Sequence, residues 1–313
     1  MATVQTYESQ TATPVPTGSV EREFTVKSRS QGQQIVRRFL HNRIAMAALV
    51  VYGVLLLVAF IGPAFYQWTF EDQDSSALSV RPGSPGHILG TQDIGKDLLA
   101  LMMRGVQRST FICVVFVLVA GTIGVIVGAM AGYFGRFVDN VLMRFVDLIL
   151  TVPSLIVIIV VASNFPSARS ALGVALFIAF FGWMDLARVV RSQFLSLRER
   201  EFVEAAHALG ASNRRIIFKH LIPNSLGTII VWATLGAATS VIIEASLTYL
   251  GFGVSGQDTS LGRLVTDGAA AADTRPWLFY FPGLALLVIV MSINLIGDGI
   301  REAFDPSQTR VRA

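Results

Sequence analysis

The chain has 313 residues, of which 53% are hydrophobic and only 15% are charged, and its mean hydropathy is +0.59. Soluble domains carry about 25% charged residues, so this composition excludes an ordinary soluble protein and indicates an integral membrane protein. The formal net charge of +4 is explained by membrane topology rather than by nucleic-acid binding. A single cysteine, Cys113, excludes an internal disulfide.

Six hydrophobic runs are long enough to cross a bilayer, since about 20 apolar residues make one helical crossing. We therefore predict an all-α integral membrane protein with a six-helix domain over residues 34–306. A polar, disordered tail without a signal peptide is predicted over residues 1–33, and a second tail over residues 307–313. Residues 34–43 are expected to be either a basic amphipathic helix or a positive flank of the first span. The predicted spans are 45–66, 111–134, 141–163, 171–187, 226–247 and 278–297.

The positions of Lys and Arg predict the orientation of these spans, because cytoplasmic segments carry an excess of basic residues. The stretch before the first span is basic, and so is the predicted loop 188–225. Both termini and that loop are therefore expected in the cytoplasm, with residues 67–110 and 248–277 on the opposite side. We expect the two opposite-side segments to form a docking surface for a soluble partner, because long loops are costly to order without one.

Two glycine-rich stretches resemble nucleotide-binding motifs without the required structural context. Residues 90–97 nearly match the GxxxxGK[ST] phosphate loop, but Asp97 stands where the Mg²⁺-binding hydroxyl is needed and no hydrophobic strand precedes the loop. Residues 251–256 match GxGxxG, yet they follow a span rather than open a βαβ unit. The four histidines are scattered, so we predict no metal site and no catalytic residues.

The predicted spans contain signals of helix packing and several charged groups. Pro153 is expected to kink the third span. Asp147 and Asp185 lie near arginines, so local ion pairs are expected for both. Three glycines at four-residue spacing in the second span favour close packing of helix backbones over a pore lining. These glycines are Gly124, Gly128 and Gly132.

Glu244 and Asn294 are the polar groups in spans that call for a functional hypothesis, because ionisable and polar side chains are costly in a bilayer. Glu244 is expected either on a translocation path or in contact with the loop that follows it. An ion pair with Arg263 or Arg275 is the alternative, and both readings stay open. Asn294 is expected to hydrogen-bond across helices or to face the path.

The loop 188–225 contains a short charged helix with small side chains, followed by a turn. This stretch has no residues that perform chemistry, so we expect another protein to bind it. Ala205 and Ala206 are predicted to form a thin docking face and Glu204 a polar anchor. Gly210 is predicted to adopt the left-handed conformation that ends a helix.

The sequence after this turn predicts a second helix. Ser212 and Asn213 are candidates for its N-cap, and Pro223 is expected to bend or stop it. The spacing of Glu-Ala-Ala, three residues, Gly, a long gap, a hydrophobic residue and Pro resembles the cytoplasmic coupling loop of permeases in ATP-binding-cassette importers. This resemblance implies that residues 204–223 contact a cytosolic ATPase.

Three further stretches are similar to segments of the dipeptide/oligopeptide/nickel permease family. Residues 89–97 resemble its Leu-Gly-Thr-Asp-x-x-Gly-Arg-Asp segment, and residues 244–253 its Glu-Ala-x-Leu-Ser-Phe-Leu-Gly-x-Gly segment. Residues 294–306 resemble its closing Asn-x-x-Gly-Asp-x-Leu-Arg-Asp-x-x-Asp-Pro. Gln92 and Lys96 depart from the family's usual Asp and Arg. The first and last stretches point to the second of the two permease subunit types.

The resemblance implies a type I importer in the cytoplasmic membrane of a prokaryote, with two homologous six-helix permeases, two cytosolic ATPase subunits or domains and an extracytoplasmic substrate-binding protein. ATP and Mg²⁺ would be bound by the ATPases, so this chain is expected to hold no cofactor and to catalyse no reaction. Glu244 and Asn294 are the expected path residues, and Asp93 and Asp97 the expected docking residues of the outside loop.

Short peptides are the expected cargo, with nickel complexes, glutathione or another non-peptide solute as alternatives. A secondary transporter is a more distant alternative, because no inverted repeat is recognisable.

Overall fold

The computed structural model describes residues 31–255 and 258–304, and the regular elements in these ranges are all helical. Most of the predicted N-terminal tail and the whole of the predicted tail 307–313 lie outside the described residues. Residues 31–33, which were assigned to the first tail, begin a helix instead. The helices are α1 (Gln31–His41), α2 (Arg43–Ile61), α3 (Leu98–Phe134), α4 (Arg136–Leu150), α5 (Ser154–Asn164), α6 (Ala171–Leu197), α7 (Glu201–Ala208), α8 (Asn213–Ile216), α9 (Ile222–Tyr249), α10 (Leu261–Ala269) and α11 (Trp277–Phe304).

Five of these helices, α2, α3, α6, α9 and α11, are long and apolar enough to cross a membrane. Helices α4 and α5 together form one further candidate span, with a bend of 70° between its halves. The six predicted spans therefore correspond to five continuous helices and one broken helix. Residues 34–41 are helical, as the first of the two alternatives for that region predicts.

Side-chain caps mark where four of the helices begin. A capping oxygen accepts a hydrogen bond from one of the first N–H groups of a helix, which have no partner within the helix. In each of these four helices the accepting oxygen belongs to a short polar side chain just before the first helical residue. The capping residues are Asn42 for α2, Asp97 for α3, Ser170 for α6 and Ser260 for α10.

Helix α3 begins at Leu98, whereas the sequence predicted the second span from residue 111. The early turns were missed because Arg104 and Arg108 lower the local hydropathy. The apolar residues of these turns nevertheless recur at helical spacing and are buried, which makes this end of α3 an amphipathic helix. The connection between α2 and α3 is therefore shorter than predicted, and we call residues 65–97 the connecting segment.

Pro153 lies in the break between α4 and α5. It has no N–H to donate, and its ring disfavours the helical conformation of the residue before it. Pro153 itself is extended, with ψ 110°, and α5 begins at the next residue. The predicted kink is confirmed, and it is large enough to separate the span into two helices.

Helices α3 and α6 form the tightest pair of the bundle, and the glycine stripe lies between them. A methyl group at Gly128 would lie 2.5 Å from the Ala187 carbonyl oxygen and 2.8 Å from Val190 Cβ. Gly124 and Gly132 also face the backbone of α6 at distances that leave no room for a methyl group. The predicted close packing of helix backbones is confirmed, and it occurs within this chain.

Candidate coupling segment and membrane cavity

Helix α7 carries the Glu-Ala-Ala stretch and ends in a glycine turn. Gly210 has φ +77°, so the left-handed conformation predicted for it is confirmed. Its N–H donates to the His207 carbonyl oxygen at 2.9 Å, and the Ala211 N–H donates to the Ala206 carbonyl oxygen at 3.0 Å. These two bonds form a Schellman motif, which fixes the direction in which the chain leaves α7.

One face of α7 packs against the helix bundle. Val203 and Ala206 are buried in an apolar cluster that includes Phe194 of α6 and Leu221 just before α9. The His207 ring also stacks on Tyr133 of α3, with 6.4 Å between ring centroids. Helix α7 is therefore fixed to three long helices rather than suspended in a flexible loop.

The opposite face of α7 is exposed. Glu204 and Ala205 are exposed, and Leu209 at the end of the helix is 89% exposed. The prediction that Ala205 and Ala206 share one docking face is wrong for Ala206, because Ala206 is buried against the bundle. Consecutive helical residues point about 100° apart, so only Ala205 faces outward. Contact of Glu204, Ala205 and the Gly210 turn with a partner stays a prediction.

The chain after this turn differs from the prediction in two ways. Ser212 occupies the N-cap position of α8 but makes no capping hydrogen bond, and Asn213 instead accepts one from the Tyr133 hydroxyl at 2.9 Å. Pro223 does not stop the helix, because it is the second residue of α9, which is 28 residues long. The alternative, that Pro223 bends the helix, stays a prediction. A π-helical turn over Ile217–Leu221 lies just before it, and this wider turn accommodates the proline ring and its missing N–H.

Glu244, near the end of α9, is fully buried. Its Oε1 accepts hydrogen bonds from Ser260 Oγ at 2.6 Å and from Thr248 Oγ1 at 2.9 Å. Its Oε2 has no hydrogen-bond partner within the described ranges. The alternative of an ion pair with Arg263 or Arg275 is wrong, because both arginines bond to other residues.

Glu244 thus holds the start of α10 against α9, since its partner Ser260 is the N-cap of α10. The two helices approach closely because α10 has a glycine there: a methyl group at Gly262 would lie 2.6 Å from Ala245 Cα. A place for Glu244 on a translocation path stays a prediction. Asn294 is half-buried on α11 and makes no hydrogen bond with other described residues, so its assignment to the path also stays a prediction.

A cavity of about 720 Å³ lies between the α4–α5 break and helices α3, α6 and α9. Asp185 of α6 is the only ionisable residue among its described lining residues. The predicted ion pair is confirmed for Asp147, which accepts a hydrogen bond from Arg188 at 2.6 Å. It is wrong for Asp185, which has no ion-pair or hydrogen-bond partner in the described part of the chain. The aromatic lining residues are Phe116, Phe181 and Trp232.

Residues 124–310 match the family described as "Binding-protein-dependent transport system inner membrane component". The chain belongs to this family of transport permeases. Residues 30–82 of the permease also match the N-terminal transmembrane domain of oligopeptide transport permease C. The first matched range includes α7, α10 and every described lining residue of the cavity except Phe116 of α3.

Two curated relatives resemble the permease along most of its length. It is 42% identical over 278 residues to the oligopeptide transport system permease protein OppC of Mycobacterium tuberculosis, which corresponds to 89% of this chain and 95% of that protein. It is 36% identical over 285 residues to OppC of Escherichia coli K12, 91% of this chain and 94% of that protein. A chain of the MetNI methionine ABC transporter, solved in an inward facing conformation, has 20% identity and a TM-score of 0.55 over 66% of the permease and 97% of that chain. The predicted all-α fold of an importer permease is confirmed.

The connecting segment of the permease is folded around Asp97, which is only 2% exposed. The Asp97 carboxylate caps α3 and accepts a hydrogen bond from the Tyr66 hydroxyl at 3.0 Å, and it lies 2.9 Å from His87 Nδ1. Burial and the nearby Asp97 charge raise the pKa of Tyr66 to about 12. The prediction that Asp97 contacts a partner is wrong, because its side chain is enclosed. Asp93 is exposed, and its contact with a partner stays a prediction.

The Leu-Gly-Thr stretch and the following glycine have structural functions in this segment. Gly90 and Gly95 have positive φ angles, and a methyl group at Gly90 would lie 2.5 Å from the Val80 carbonyl oxygen. The Thr91 hydroxyl donates to the Ala77 carbonyl oxygen at 2.6 Å. The glycines and the threonine of this stretch therefore allow the connecting segment to fold back compactly on itself.

The connecting segment also contacts the loops on either side of α10. Arg275 donates to Ser79 Oγ at 2.8 Å. The guanidinium of Arg104 lies 4.4 Å from the centre of the Phe70 ring, and its Nε donates to Asp258 at 2.8 Å. The two segments predicted to form a docking surface therefore form one continuous surface.

Proposed function

We propose that the permease is one of two membrane subunits of an ATP-driven importer that carries short peptides across the cytoplasmic membrane of a prokaryote, with both termini in the cytoplasm. Its family and its relatives named as oligopeptide transport permeases support this cargo. The observation that carries the mechanism is α7, a short helix fixed to the bundle with one face exposed and no chemistry of its own.

The proposed complex contains a second, homologous permease, two cytosolic ATPase subunits or domains, and an extracytoplasmic substrate-binding protein. ATP and Mg²⁺ bind to the ATPases, and this chain contributes no catalytic group. The exposed face of α7 contacts an ATPase, and the surface formed by the connecting segment and the α10 loops receives the binding protein.

The packing of α7 supports a path from the ATPase to the cavity. Its buried face lies in the apolar cluster that also contains Phe194 of α6 and Leu221 just before α9. Helices α6 and α9 line the cavity farther along, through Asp185 and Trp232. When the ATPases close on ATP and displace α7, they therefore displace two walls of the cavity. Work is transferred because the ATPases bind α7 differently in their open and closed states.

ATP-driven uptake of a labelled tripeptide by the complete complex in proteoliposomes, with its binding protein, tests this proposal. We expect wild-type uptake to require ATP and the binding protein. The Ala205→Trp variant places a large side chain on the exposed face of α7, and we expect uptake to fall at least about tenfold, as for a disrupted interface hot spot. Ala47→Trp, at an exposed alanine of α2, is the matched control and should transport normally.

Three results would contradict parts of the proposal. Uptake that follows a proton gradient without ATP would indicate a secondary transporter. Uptake of a nickel complex or glutathione, but of no peptide, would keep the mechanism and replace the cargo. Normal uptake by the Ala205→Trp complex would show that α7 is not the coupling element.

A further inference from the structure

Asp185 lies near the middle of α6, a helix long and apolar enough to cross a membrane, where it is exposed, lines the cavity and has no countercharge. Its nearest arginines along α6 are engaged elsewhere: Arg188 pairs with Asp147, and Arg191 pairs with Asp139. Within the described ranges the carboxylate has no hydrogen-bond or ion-pair partner, and no other ionisable residue lines the cavity. A charged side chain within a membrane span is costly unless it faces a partner or a water-filled cavity, and such groups mark ligand and ion pathways.

The walls around Asp185 suit a cationic group. Thr239 and Ser246 of α9 also line the cavity, but their hydroxyls donate to carbonyl oxygens of their own helix, at 2.9 Å and 2.8 Å. These hydroxyls therefore offer only lone pairs to a ligand. Phe116 and Trp232 stack with 5.9 Å between ring centroids and add aromatic faces, which attract cations.

We propose that Asp185 binds the amino-terminal ammonium group of the peptide during its passage. This inference rests on the proposed function and extends it to a named contact. An ammonium group supplies three donors, which match the carboxylate and the acceptor-only hydroxyls of the cavity. The cavity volume of about 720 Å³ lies within the 300–1,000 Å³ range of small-molecule sites, so a short peptide fits beside the aromatic wall.

The position of Asp185 on α6 also connects binding of the peptide with the displacement of α7. Asp185 lies in the middle of α6. Phe194, which belongs to the same apolar cluster as the buried face of α7, lies about 14 Å farther along the helix at 1.5 Å per residue. A displacement of α7 therefore moves the carboxylate relative to the α4–α5 break across the cavity. We infer that the ammonium group is held in one state of the transporter and released in the other.

The test uses the whole complex with its binding protein and compares tripeptide uptake by wild type, Asp185→Asn and Asp185→Glu. We expect the asparagine variant to raise the KM for uptake about tenfold or more, and the glutamate variant to restore it to within about threefold of wild type. Asp298→Asn is the matched control, because it removes an exposed carboxylate of α11 that does not line the cavity. Its KM should stay within about threefold of wild type.

A second measurement does not depend on activity. A tripeptide with a photoreactive diazirine on its first residue is cross-linked to the complex, and the labelled segments are identified by mass spectrometry. We expect labelling of α6 near Asp185 and of α9 near Trp232 in wild type and in the glutamate variant, and loss of this labelling in the asparagine variant. This comparison decides the question even where the asparagine variant assembles poorly, because the glutamate variant and wild type report the location.

The outcomes separate this inference from the proposed function. Wild type that carries peptides, with an unchanged KM in the asparagine variant, would overturn the inference and leave the proposed function intact. Labelling confined to other helices would also overturn it, as would a cross-link from position 185 to a basic side chain of the second permease. Wild type that carries no peptide would refute the proposed function itself.

Discussion

Replacement of Glu244 tests how α10 is held against the helix bundle. The carboxylate accepts hydrogen bonds from Ser260 at 2.6 Å and from Thr248 at 2.9 Å, and it is fully buried. In Glu244→Ala the Thr248 hydroxyl keeps its bond to the main-chain carbonyl of residue 244 at 2.9 Å, whereas Ser260 loses its acceptor. Truncation of a buried side chain costs about 2–5 kcal/mol, and a buried polar group without a partner costs about 1–3 kcal/mol.

We therefore expect Glu244→Ala to destabilise the packing of α10 by at least about 3 kcal/mol, since part of each cost is relieved by relaxation. Glu244→Gln keeps the shape of the side chain and one oxygen for Ser260. It should change this packing by about 1 kcal/mol or less. Comparison of the alanine and glutamine variants separates the effect of lost volume and hydrogen bonding from the effect of a lost charge.

Cys113 is the reporter for this experiment, because it is buried in the same apolar cluster as Leu261 and Leu264 of α10. A thiol reagent reaches Cys113 only when this cluster opens, and α10 is one of the helices that form it. The labelling rate therefore follows the free energy of local opening. A cost of about 3 kcal/mol corresponds to labelling about a hundredfold faster, since 1.4 kcal/mol is a factor of ten. Equal labelling rates for Glu244→Ala and wild type would refute the reasoning, as would equal rates for the alanine and glutamine variants.

Three further changes test other parts of the structure. Ala206→Trp overfills the buried face of α7 and should lower the melting temperature of the purified permease. Ala205→Trp should leave the melting temperature unchanged. Equal melting temperatures for the two variants would place both residues on the surface. Tyr66 has its pKa raised from 10 to about 12 in the folded chain, so its contribution to stability is present below pH 10 and is lost as the pH rises towards 12. Limited proteolysis of the connecting segment should accelerate between pH 10 and pH 12 in wild type. The same acceleration in a Tyr66→Phe variant would show that another group causes it. Gly128→Val places a methyl group against an α6 carbonyl oxygen and should cost several degrees of melting temperature. Gly121→Val, which has open space around its Cβ, should melt like wild type, and equal loss in both variants would contradict the packing account.

Features that depend on local backbone chemistry could be predicted from the sequence. Gly210 ends α7 in the left-handed conformation and Pro153 breaks the third span, because each residue restricts or permits backbone angles by itself. The six apolar spans follow from hydropathy, and the glycine stripe of α3 follows from its four-residue spacing.

Features that depend on tertiary contacts could not be predicted in this way. Ala205 and Ala206 have the same chemistry, and only the packing of α7 decides which of them is exposed. Asp97 is polar and follows a glycine-rich loop, yet it is enclosed by Tyr66 and His87. Asp185 loses its expected arginine because Arg188 reaches Asp147 on a different helix.

The start of α3 shows a limit of hydropathy itself. The early turns of this helix contain arginines, and an average over all side chains does not distinguish an amphipathic helix from a loop. The helical spacing of the buried apolar residues contains the missing signal. A search for periodicity, in addition to mean hydropathy, would have moved the predicted start of α3 towards Leu98.

The central claim is that the exposed face of α7 contacts an ATPase. Cysteines introduced one at a time, as Ala205→Cys and Ala206→Cys in the complete complex, test it directly with a short thiol cross-linker, and the native Cys113 is buried. We expect the cysteine at position 205 to cross-link to an ATPase subunit, with a yield that changes when ATP binds, and the buried cysteine at position 206 to remain unlinked. Cross-linking of neither position, or of both equally, would contradict the account of α7 as the coupling element.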